Sequence, residues 1–65
     1  MTYVLETQSS RYIIYRFYEV KYAQQFIKNN SRIGLEIVPN NHYLVEQAIK
    51  IAGNDDHNWP VELER

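Results

Sequence analysis

The side chains able to act as nucleophiles are Thr2, Thr7, Ser9, Ser10 and Ser31, and the candidate bases are His42 and His57. Nucleophilic catalysis needs a nucleophile, a base and an orienting group converging in a cleft. None of these residues sits in a recognisable catalytic motif. With only two glycines, the chain also has no glycine-rich phosphate loop. Glu6, Glu36 and Glu62 could be assembled on neighbouring strands as paired carboxylates for acid–base work, but alternating solvent-facing glutamates produce the same pattern. The run Asp55-Asp56-His57-Asn58 offers oxygen ligands and an imidazole. Consecutive residues seldom converge on one ion, and the run has none of the calcium or zinc loop spacings, so it reads as a solvated loop. With no cysteine, disulfides and thiolate metal sites are excluded. These residues predict a chain with no catalytic group, no metal and no cofactor.

The densest chemistry lies between Arg11 and Tyr22, where aromatic and basic residues are concentrated. If the segment is a strand with Ile13, Tyr15 and Phe17 toward the helices, its other face presents Tyr12, Ile14, Arg16 and Tyr18. An open sheet face carrying two tyrosines and an arginine could anchor a protein partner, since Tyr and Arg are enriched at binding hot spots. It could also stack the bases of single-stranded nucleic acid. The segment departs from the signature strand of the RNA-recognition motif at Tyr12, Ile13, Ile14 and Arg16, matching it only at Arg11 and Tyr18. Tyr12, Arg16 and Tyr18, extended by Tyr22 and by the lone tryptophan Trp59, form the candidate partner-binding set. For Trp59 a core-capping role competes with that of an exposed anchor.

The elements that must position these residues follow from periodicity. Tyr3 to Thr7 alternates as a half-buried strand. Gln8-Ser9-Ser10 is a polar turn without the Asn-Gly or Asp-Gly of a strong hairpin. Arg11 to Tyr18, rich in β-branched and aromatic residues, predicts the central strand, with one long helix over about residues 11–30 as the competing assignment. Glu19 to Asn30 places Val20, Ala23 and Ile27 on one stripe, with Phe26 beside it. This predicts a helix that lacks an N-cap side chain and is closed by asparagines able to adopt the left-handed conformation. Arg32 to Val38 alternates again. After Pro39, an asparagine N-cap starts a second helix over His42 to Ala52, stopped by Gly53, with a Glu46–Lys50 pair along it. Trp59 to Leu63 fits a short edge strand with Trp59, Val61 and Leu63 on one face. The expected architecture is α+β. It has the order β-β-α-β-α with a possible final edge strand, in a three- or four-stranded sheet with both helices packed on one face. Residues 11–38 are long enough for a strand–helix–strand crossover.

At 65 residues the chain allows a single small domain, residues 1–65, with a modest core. Its start has no basic or apolar leader, and no run is long enough to span a bilayer. A cytoplasmic location is expected. Charge is unevenly placed. Residues 11–32 carry Arg11, Arg16, Lys21, Lys28 and Arg32 against Glu19 alone, a net of +4. Residues 33–65 carry Lys50 and Arg65 against six acids, a net of −4. The expected function is a small non-catalytic protein-binding module, such as an inhibitor, adaptor or regulatory factor, of a size that suits a bacterial or phage protein. Single-stranded nucleic-acid binding through the Tyr/Arg face is the first alternative, although a net charge of −1 opposes it. A self-assembling structural protein is the second.

Overall fold

The computed structural model describes residues 1–30 and 34–65. It contains strands β1 (Thr2–Thr7), β2 (Arg11–Phe17), β3 (Leu35–Val38) and β4 (Val61–Glu64), helices α1 (Val20–Asn29) and α2 (Tyr43–Ala52), and a short 3₁₀ turn over Asp56–Asn58. The strands form one antiparallel sheet in the order β3-β1-β2-β4. The α+β class and the element sequence agree with expectation, and the final edge strand is present. The start of the third strand, expected from Arg32, falls partly on residues 31–33, outside the described residues.

β1 and β2 form the hairpin, through Gln8-Ser9-Ser10. No described non-glycine residue has a positive φ, so the turn is held without the left-handed residues that favoured hairpin turns require. Instead, the Gln8 N–H donates to the Arg11 carbonyl (2.9 Å), Arg11 Nε donates to Gln8 Oε1 (2.7 Å), and Arg65 Nη1 donates to the Gln8 carbonyl (2.9 Å). The same conformational preference corrects the end of α1. Asn30 is not left-handed (φ −115°) and closes the helix by returning its backbone N–H and its Nδ2 to the Phe26 carbonyl. The α2 N-cap is His42 and not an asparagine. His42 Nδ1 accepts from the Leu44 N–H at 3.1 Å, filling the role an Asn oxygen would play. Gly53 ends α2 at φ +65°, as its residue type predicted. Gly34, just before β3, has φ +93°, and a Cβ there would stand 2.9 Å from the Thr7 carbonyl oxygen. Only glycine lets the two backbones meet in the 3.1 Å Thr7 N–H to Gly34 carbonyl bond.

The helices lie on opposite faces of the sheet, correcting the single-face arrangement. Side chains of directly paired strand residues share a face. Tyr3, Leu5, Ile14, Val38, Val61 and Leu63 therefore point one way, and they cluster with Leu44, Val45, Ala48 and Ala52 of α2. Val4, Glu6, Ile13, Tyr15 and Phe17 point the other way, where Phe26 of α1 packs on Tyr15 and Phe17 at ring distances of 4.6 and 5.4 Å. Chain routing supplies the reason. β2 and β3 run parallel with β1 between them, so the connection carrying α1 crosses over β1 on one face. The next connection, from β3 to β4, must span the whole sheet, and the opposite face is the one left for α2.

Candidate functional site

Arg16 sits directly across the ladder from Tyr3 and so points to the α2 face. Its side chain is 4% exposed, against 60% for its partner Asp56. The guanidinium lies at the C-terminal end of α2, where unsatisfied carbonyls and the helix dipole favour a cation. Nη1 donates to the Gly53 carbonyl (3.3 Å), and Nη2 donates to the Asn54 carbonyl (3.1 Å) and to Asp56 Oδ1. Its plane lies over the Trp59 ring, 5.0 Å from the centroid. Trp59 Nε1 donates to the same Gly53 carbonyl (3.3 Å), and its ring packs on Tyr3 at 5.6 Å. Asp55 starts the 3₁₀ turn by accepting from the His57 N–H (3.0 Å). The Trp59–Pro60 peptide is cis. One buried arginine thus ties the segment from Gly53 to Trp59 to the end of β2.

Tyr18, just past β2, completes the clamp by donating its hydroxyl to Asp56 Oδ2 at 2.5 Å. The Tyr18 hydroxyl and the Arg16 guanidinium together hold the Asp56 carboxyl below its ordinary range. The carboxylate in turn raises the Tyr18 phenol, first through the hydrogen bond and then through its charge.

Behind this clamp is a groove of about 420 Å³. The rings of Tyr15, Phe17, Tyr18, Phe26 and Trp59, together with Pro60, line it, and Arg16 and Asp56 form its polar wall. It opens where β4 pairing stops: β4 covers β2 only from Arg11 to Ile14.

The expected binding residues are only partly brought together. Arg16, Tyr18 and Trp59 meet around Asp56 and the groove. Tyr18 is 66% exposed, and Tyr22 is exposed on α1 with the Lys21 ammonium 5.2 Å from its ring. Tyr12 lies apart from them, partly buried against the α2 core, with the Arg65 guanidinium 5.7 Å from its ring. The open Tyr12–Ile14–Arg16–Tyr18 sheet face does not exist, because α2 covers it and Ile14 is fully buried. Of the three strand glutamates, Glu36 shares a face with Leu5, whereas Glu6 and Glu62 flank Ile13 on the other face, with β2 between them. The basic and acidic halves of the chain interleave through Arg11–Glu62 and Arg16–Asp56.

Two features were missed in the sequence. Asp56 was read only as part of a solvated loop, and nothing local marks it as the bridge between Arg16 and Tyr18. Glu6 is 4% exposed on the α1 face, accepting from the Tyr15 hydroxyl (2.7 Å) and from Gln8 Nε2 (3.1 Å). The signal for its burial was present: Tyr3-Val4-Leu5 is an unbroken apolar run, the mark of a strand covered on both faces.

No protein-family model matches the chain, and comparison with curated proteins and with solved structures gives no match. Among the described residues no helix is long and apolar enough to cross a membrane.

Proposed function

We propose that this protein is a small non-catalytic protein-binding module, of the inhibitor, adaptor or regulatory kind. Its contact surface would be the aromatic groove and the neighbouring exposed rings of Tyr18 and Tyr22. The observation that carries the proposal is the groove itself, where five aromatic side chains and a proline meet at the surface beside a fully engaged arginine. Aromatic side chains give large contact area at low entropic cost, and clustered apolar surface on so small a protein marks an interaction site. Arg16 acts through the loop it fixes, holding Trp59 and Asp56 in place. Its engagement with Asp56 and two carbonyls leaves it poorly placed to contact phosphates, which favours a protein partner over nucleic acid.

The test uses a Tyr18→Ala, Tyr22→Ala double variant with unchanged circular dichroism, compared with the parent for stoichiometric capture of a protein from nuclease-treated lysate. The proposal expects the captured protein to be lost or weakened about tenfold or more, the scale of one hot-spot residue. Equal capture by the variant, or capture abolished by the nuclease, would overturn it.

A further inference from the structure

β4 is an edge strand, and its outward side can be deduced from the ladder. Val61 and Leu63 stand opposite Ile14 and Tyr12, and the Arg65 N–H reaches the Ser10 carbonyl at 3.3 Å. In an antiparallel pair successive residues direct their N–H and C=O groups to alternate sides. The odd-numbered residues of β4 therefore bond β2, and the N–H and C=O groups of Glu62 and Glu64 face away from the sheet. Beside this edge is a second cavity, about 480 Å³, with Ile13, Tyr15, Ile51, Pro60 and Val61 among its walls. Ile51, at the end of α2, is 66% exposed. Tyr15 and Pro60 also line the aromatic groove, so the two depressions are neighbours.

We propose that the β4 edge receives an extended basic segment of the partner protein, which adds a strand alongside Glu62 and Glu64. Backbone hydrogen bonds to these two residues would supply affinity. Alternate side chains would supply selectivity, basic ones on the face of Glu62 and Glu64 and apolar ones on the α2 face beside Val61 and Ile51. Charge decides the occupant. Glu64 has no ion-pair partner among the described residues, and Glu62 shares only the exposed Arg11. A second copy pairing through the same edge would bring its own Glu62 and Glu64 against these, a like-charge arrangement that opposes self-assembly. A lysine- or arginine-bearing strand meets the complementary field.

The inference rests on the protein-binding reading and adds the chemistry of the partner. Its test is a ¹⁵N NMR titration of the full chain with the capped peptide Lys-Val-Lys-Val-Lys. Amide shifts should centre on Glu62 and Glu64 and extend to Ile13, Tyr15 and Ile51. The same peptide N-methylated at alternate amides should bind about tenfold more weakly, because it loses two backbone hydrogen bonds. A Glu-Val-Glu-Val-Glu peptide should bind more weakly than the basic one, and E64K should narrow or reverse that preference. No shifts at millimolar basic peptide, shifts centred elsewhere, or equal binding of the N-methylated or acidic peptide would overturn the proposal. Loss of the captured protein in the Tyr18/Tyr22 variant with no peptide binding would sink the edge and keep the groove. Peptide binding with unchanged capture would do the reverse.

Discussion

The two faces of the sheet are built differently. The α2 face is an aliphatic core in which Ile14, Val45 and Ala48 are fully buried, with Tyr3, Leu5, Leu44, Val61 and Leu63 around them. The α1 face buries less. Ala23 is the only described α1 residue fully enclosed, and on this face Val4 and Ile13 are buried beside the Phe26 ring on Tyr15 and Phe17 and the Glu6 carboxyl held by Tyr15. One face is held by aliphatic packing, the other by a smaller aliphatic patch together with rings and a satisfied polar group. The aromatic groove opens at the border between them, between Phe26 of α1 and the clamped loop. The α1 face supplies Tyr15, Phe17 and Phe26 to the groove proposed as the contact surface, and the dense face supplies most of the core.

Truncation on the dense face should have the largest effect. Ile14→Ala leaves a cavity in a site with no exposure and should cost about 2–5 kcal/mol. That is a large share of the ~5–15 kcal/mol typical of folded domains, and it should appear as a sharply lower urea midpoint. On the other face, Tyr15→Phe keeps the ring against Phe26 and removes only the hydroxyl that Glu6 accepts. It should cost about 1–3 kcal/mol by the same measurement. An equal or greater loss for Tyr15→Phe would show that the polar group, and not area, dominates the fold.

The clamp at the border should have the smallest effect, visible mainly as pH dependence. The Asp56 carboxyl titrates below its ordinary value when folded, because Tyr18 and Arg16 favour the anion. Its contribution is therefore present above the unfolded-state value and lost as pH falls through the folded one. For Tyr18 the shift is upward, so its contribution is present below the ordinary tyrosine value and lost as pH rises through the raised one. Asp56→Asn should remove both dependences, flattening the acid and alkaline limbs of the urea midpoint against pH. Unchanged limbs would mean that the clamp does not couple to folding.

Much of the architecture was legible in the sequence because local period decides it. The β-branched and aromatic run Arg11–Tyr18 predicts a strand, which the structure ends one residue earlier at Phe17, and the residue type of Gly53 alone predicts the stop after α2. The placement of the helices was harder to read, because it depends on where the chain must cross the sheet. Yet Val4-Leu5 and Ile13-Ile14, consecutive apolar pairs in what prove to be the two central strands, carried the message that both faces are covered. The candidate site was half legible for the same reason. Arg16, Tyr18 and Trp59 were singled out by type. Their meeting depends on Asp56, which lies 40 residues from Arg16 in the chain, and no short-range pattern encodes such a contact. Tyr12 was grouped with them by strand alternation, a rule that fixes the face but not what covers it.

The central claim is that helices close both faces of the sheet, which leaves the β2–β4 side for the proposed contacts. A methyl- and aromatic-resolved NOESY spectrum tests it most directly. The account predicts cross-peaks from Phe26 to Tyr15 and Phe17, cross-peaks from Ile14 to the apolar residues of α2, and none between the methyls of Ala23 and Ala48, which the sheet separates. A strong Ala23–Ala48 cross-peak would place both helices on one face, reopen the Tyr12–Arg16 surface to solvent and contradict the account.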